Sequence, residues 1–207
     1  MSSYSSSDNS EEYISSESET FECSLISEIP MDDFCFLLTR CKFFSDPDKL
    51  VFVDKVFVVS NDIVLYYILF LDYNKIISLV DKKVKKHINA LTNKKDIILV
   101  YIDKLCNINI QEIVKAYKHL NITDTTYIVI SKCYNPAHEE KEEFKELFPD
   151  YKESLEVIPV RIEEIFLSEF SKKKNFTLGG FPFQLCLIEG KDMKKYIEIL
   201  EKEVEQK

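Results

Sequence analysis

The residues with the clearest capacity for chemistry are Asp62, Asp72 and Lys75, which stand at the ends of two apolar stretches. Two acids and a lysine at strand ends can hold magnesium and direct a water at a phosphodiester, as in restriction-type nucleases. The pattern of those nucleases has an acid and a lysine two residues apart on one strand. Asp72 and Lys75 are three apart at an expected helix start, so they point to different sides, and their plainer role is to cap a turn. Cys133 and His138 offer a thiolate–imidazole pair on sequence proximity alone. His87 and His119 fall on the outer faces of expected helices. No glycine precedes Gly179, so no Gly-rich turn can bring a phosphate against a helix N-terminus. No catalytic residue, metal, cofactor or small-molecule ligand is expected from these patterns.

The elements that must position these residues centre on residues 97–147. Continuous apolar runs at 97–102 and 127–130, joined by an amphipathic helix over 108–120, predict a β-α-β unit with a parallel strand pair. A loop over 133–138, containing Pro136 and Ala137, then leads into another helix ending at Leu147. Upstream, a short helix is expected within 30–44. Asn61-Asp62 between two Val/Ile/Phe/Tyr-rich runs predicts a tight antiparallel hairpin over 50–71. A helix over 75–91 presents Lys82, Lys83, Lys85 and Lys86 on its polar face, either as a solvated surface or as a contact for nucleic-acid phosphate. Downstream, 155–160 predicts a strand interrupted by Pro159, and 163–170 is ambiguous between helix and strand. Residues 172–180 predict a flexible joint, 183–188 a strand, and 193–204 a charged helix.

Composition limits the partners. The 207 residues carry a net charge of −9, but residues 1–22 hold six acids and no base. Removing those six from the chain's 36 acids leaves 30 against 27 Lys and Arg, so the body is nearly balanced and has no global basic signature. The tail is rich in Ser and acid and poor in aliphatic residues, which predicts disorder. Ser10 and Ser16 precede acids in a pattern that acid-directed kinases accept. The six cysteines are widely spaced without C-x-x-C pairing, as expected of free thiols in a reducing compartment. The acidic start is unlike a secretory signal, and the longest apolar run, 63–71, is too short to cross a bilayer as a helix. An intracellular protein without membrane contact is expected.

The strand and pre-proline turn from Tyr127 through Asn135-Pro136-Ala137-His138 carry a family resemblance. So do Leu155-Glu-Val-Ile-Pro-Val-Arg-Ile-Glu-Glu, Phe181-Pro182 and the segment from Gly190. Together they are similar to subunit 5 of eukaryotic-type DNA-directed RNA polymerases, in the divergent form of large DNA viruses. The chain keeps Pro136 and Ala137 of that family's Thr-Pro-Ser-Ala turn, with Asn135 in place of Thr and with Glu139 and Glu140 following.

The resemblance implies an α+β fold. A restriction-endonuclease-like jaw domain with a mixed sheet flanked by helices would span 23–150, after the tail at 1–22. A small α+β assembly domain would span 151–207. It also implies a non-catalytic polymerase subunit. Pro159, Pro182, Phe183, Leu185, Leu187 and Gly190 would dock on the largest subunit of the polymerase core. Pro136, Ala137, Lys82, Lys83, Lys85 and Lys86 would lie near downstream duplex DNA, in the nucleus of a cell or in the cytoplasm or virion of a virus. The alternative is a structural or regulatory α/β adaptor with no nucleic-acid role; a restriction-fold nuclease stands third.

Overall fold

The computed structural model describes residues 22–39, 43–105, 108–149, 151 and 155–205. The acidic tail and its serines therefore lie outside the described residues, apart from Glu22. The fold is α+β: one eight-stranded, mostly antiparallel sheet with helices on both faces.

The strands are β1 (Ser24–Ile26), β2 (Phe52–Ser60), β3 (Ile63–Asp72), β4 (Ile97–Lys104), β5 (Thr126–Tyr134), β6 (Ile158–Pro159), β7 (Lys172–Leu178) and β8 (Phe181–Glu189). They lie in the order β1-β2-β3-β4-β5-β8-β7, with β6 pairing to the far end of β5. The helices are α1 (Met31–Thr39), α2 (Tyr73–Ile76), α3 (Lys82–Leu91), α4 (Ile110–His119), α5 (His138–Leu147) and α6 (Gly190–Glu205), with 3-10 turns at Pro47–Lys49 and Ile162–Glu169. Among the described residues no helix is long and apolar enough to cross a membrane.

The expected β2–β3 hairpin forms, and its turn explains itself. Asn61 and Asp62 have φ of 49° and 62°, the left-handed geometry of a two-residue turn that Asn and Asp tolerate best after glycine. The expected β-α-β unit also forms. β4 and β5 are parallel, and α4 crosses between them with Asn109 accepting from Gln111 N at 3.1 Å. β5 runs four residues past its expected end because its continuation pairs with both β8 and β6. Cys133 and Tyr134 are therefore strand, not loop.

Three further expectations change. The single helix over 75–91 is two helices, α2 and α3. Between them Val80 bridges Phe44, Ser45 N donates to Leu79 O at 2.9 Å and Asp81 N to Phe43 O at 2.8 Å. Backbone groups held in that bridge cannot also serve a continuous helix. The flexible joint at 172–180 is the edge strand β7 plus a two-residue turn, with φ of 60° at Gly179 and 88° at Gly180. The boundary expected at 150/151 does not divide the sheet: β8 hydrogen-bonds along β5 from Lys132↔Phe183 to Thr126↔Glu189, so the segments assigned to two domains share one sheet.

Alternation along the central strands sends side chains to two cores. One face buries Phe57, Tyr67, Leu69, Tyr101, Ile128 and Leu185 beneath α1, α2 and α3. The other buries Tyr66, Ile68, Val100, Tyr127, Cys186 and Ile188 beneath α4 and α6. A sheet covered on both sides needs apolar residues at successive positions, which is why β3, β4 and β5 read as unbroken apolar runs. Each buried Leu, Ile, Val or Phe among them contributes about 1.5–3 kcal/mol.

Candidate functional site

The nuclease constellation does not assemble. Asp62 lies in the β2–β3 turn and Asp72 at the other end of β3, ten residues of strand apart, or roughly 30 Å. Asp72 caps α2 instead, accepting from Lys75 N at 3.3 Å and pairing with Lys75 Nζ at 3.2 Å. Among the described residues no group of three or more His, Cys, Asp or Glu could hold a metal. The Cys133–His138 pair fails on chemistry as well. Cys133 is buried, and that burial, reinforced by the nearby Glu164 charge, holds its thiol protonated far above the usual range. His138 is exposed at the start of α5.

The residues assigned to DNA divide between two places. Lys82, Lys83 and Lys86 are exposed on α3, and Lys85 is half-buried. His87 of α3 lies against Phe176 of β7 with ring centroids 5.0 Å apart and the rings tilted by 31°. Partial burial lowers the His87 pKa, and the charges of Lys174, Lys86 and Lys83 lower it further. Lys174 thus joins the lysines of α3, a grouping that sequence separation concealed. Pro136 is buried, and Ala137 N donates to Glu140 Oε2 at 2.6 Å at the head of α5. That helix packs through Phe144 on Ile158 and Ile165, in a cluster separate from the core that α3 completes. The Pro136 and lysine halves are not brought together.

The residues assigned to subunit docking are used within this chain. Phe183, Leu185 and Leu187 belong to the first-face core, Pro159 is buried opposite Cys133, and Pro182 is half-buried. A Cβ on Gly190 would collide with the carbonyl of Thr123, and Gly190 N donates to Thr125 O at 2.8 Å, so this glycine seats α6 against the loop before β5. As folded, these side chains offer little to another subunit.

Two features escaped the sequence reading. One is a buried ionic cluster. Arg161, 4% exposed, pairs with Glu164 and donates to the carbonyls of Ile102 on β4 and Ile130 on β5. Glu163 is fully buried beside it, and its carboxylate oxygens have no partner among the described residues. Burial pushes Glu164 up to about 7, against the pull of Arg161. The available signal was an Arg and a Glu three apart inside an apolar run, one of two arginines in the chain.

The other is a groove of about 540 Å³ between the segment joining β1 to α1 and the β2–β3 turn. Ile26, Ile29, Leu37, Val59, Ile63 and Leu105 line it. Ile63 is 63% exposed and Leu105 38%, so this apolar surface is open to solvent. Pro30 ends the extended segment where α1 begins, and the left-handed turn at Asn61-Asp62 sets Ile63 at the groove mouth. Glu28, Asp33 and Asp62 also line it and are exposed, and among the described residues no Lys or Arg does. Among the described residues none of these three carboxylates forms an ion pair, while Asp46, Asp72, Asp103, Asp124 and Asp192 all do. Chemically the groove can bury apolar side chains while holding cations at its edge.

No protein-family model matches the chain, and no curated protein matches it. Among solved structures it is similar to BCP1 from Saccharomyces cerevisiae, with a TM-score of 0.55 and 16% sequence identity over 93% of each chain. That likeness is one of fold.

Proposed function

We propose that this protein is a non-catalytic adaptor that holds another protein in the groove between α1 and the β2–β3 turn. The observation that carries this reading is the groove itself: an open apolar surface framed by the exposed carboxylates of Glu28, Asp33 and Asp62. Open apolar surface rimmed by polar groups stabilises a chain only when something covers it, which makes such surfaces interaction sites. The central sheet and the two helical layers then serve as a rigid mount. The test is a quantitative pull-down of the full tagged chain against Ile63→Asp from the native cell. Ile63 is mostly exposed, so the substitution leaves the core intact. Partners that are stoichiometric with the wild type and depleted with Ile63→Asp support the adaptor reading; an unchanged partner set refutes it.

A second reading, the polymerase subunit near downstream DNA, draws on one observation: Lys83, Lys86 and Lys174 gather around His87. It calls for polymerase subunits among the stoichiometric partners. It also calls for salt-dependent binding of duplex DNA that weakens on Lys83→Glu with Lys86→Glu.

A further inference from the structure

Resting on the adaptor reading, we infer that the groove takes a basic amphipathic helix of a partner protein, with apolar side chains on its floor and Lys or Arg against Glu28, Asp33 and Asp62. The floor calls for the apolar half. Ile29 and Leu37 from one wall, with Ile63 and Leu105 from the other, form a surface that an apolar stripe of one or two helical turns can cover. The rim calls for the basic half. Glu28 and Asp33 from the stretch around the start of α1 and Asp62 from the β2–β3 turn line one mouth, with no Lys or Arg beside them among the described residues.

Other occupants fit less well. Residues 1–22 of this chain carry six acids and no base, so a rim of the same sign repels them. The same acidic tail adds to the long-range attraction for a basic partner. An added strand would pair with β1, but β1 has only three residues and contributes only Ile26 to the lining. A second copy of the chain would bring its own acidic groove face to the same mouth.

The partner's sign decides specificity more than its affinity. Exposed carboxylate–cation contacts are individually weak, so neutralising the three rim acids together weakens binding by about tenfold at low salt. Burial of the apolar stripe supplies the rest.

The experiment uses the full chain and three synthetic fluorescent helical peptides, read by anisotropy at low and high salt. The first has a Leu stripe at helical spacing flanked by Lys and Arg. The second has the same stripe flanked by Glu, and the third has Lys and Arg without the stripe. The inference expects binding of the first alone, weaker at high salt. It expects that binding to fall about tenfold for Glu28→Gln/Asp33→Asn/Asp62→Asn and further for Ile63→Asp. Asn is chosen at 62 because it tolerates the positive φ there. Leu105→Asp serves as a second groove variant, with thermal melting as the check on folding.

Equal binding of the Glu-flanked peptide overturns the inference, as does equal binding of the peptide without a stripe, or binding indifferent to the groove variants. So does failure of all three peptides. The adaptor reading fails separately, when the native partner set is unchanged by Ile63→Asp. Concentration-dependent self-association that is lost in Ile63→Asp would instead identify a second copy as the occupant and overturn the basic-helix assignment.

Discussion

Arg161 and Glu164 form a buried ion pair in which the same guanidinium also donates to the carbonyls of Ile102 and Ile130. One side chain thereby ties the 3-10 turn at Ile162–Glu169 to the two parallel strands at the centre of the sheet. The turn is held against the sheet by this pair and by Leu167 and Ile165 in the apolar clusters.

Replacing Arg161 with Met keeps the volume but removes the guanidinium that pairs with Glu164, leaving the buried Glu163 and Glu164 side chains without a cation beside them. Removing one partner of a buried pair costs about 3–5 kcal/mol, a large share of a domain's stability. Urea unfolding of Arg161→Met checks this. A loss under about 1 kcal/mol would mean that the pair adds little to holding the turn.

The pH dependence follows from Glu164, whose pKa rises on folding from its ordinary 4.5 to about 7 because it is buried. The folded chain therefore keeps a proton that the unfolded chain releases in that interval. This contribution is fully present below the unfolded value and is lost as pH rises through about 7. Thermal melts at about pH 5 and about pH 8 should show the lower Tm at the higher pH, and Glu164→Gln should flatten that difference. An equal slope in Glu164→Gln would assign the proton to another group.

Gly190 and Gly180 separate two reasons for glycine. At Gly190 an added methyl meets the carbonyl of Thr123, so Gly190→Ala must push α6 off the loop before β5 and costs about 1–3 kcal/mol. At Gly180 nothing lies within 4 Å, and the cost of Ala comes only from φ of 88°. Gly180→Ala should therefore lower stability by about 1 kcal/mol. Hydrogen exchange distinguishes them: Gly190→Ala should deprotect α6, and Gly180→Ala only the β7–β8 turn.

Much of the fold was legible from local signals that agree with their tertiary setting. Asn61-Asp62 fixes the hairpin, and the apolar runs of β4 and β5 with the amphipathic α4 fix the parallel pair. The signals that misled were local preferences overruled by distant partners. Lys172, Lys173 and Lys174 followed by two glycines look like a joint, yet lysine is a common way to protect an edge strand, and β8 supplies the pairing. The break between α2 and α3 depends on Phe43 and Phe44, far upstream. The groove was not legible because its lining comes from residues 26–37, 59–64 and 105, which no spacing rule connects. Ile63, an exposed apolar member of it, looked like an ordinary strand residue.

The most direct test of the adaptor claim places a photo-crosslinking amino acid at Ile63 or at Val53 of the full chain in its native cell. The two sites are comparably exposed, 63% and 53%, and sit at opposite ends of the same hairpin, roughly 20–25 Å apart. Only Ile63 lines the groove. A discrete crosslinked protein adduct at position 63 and none at 53 is the predicted result. Adducts at 53 matching those at 63, or none at 63, would contradict the groove as the place where a partner is held.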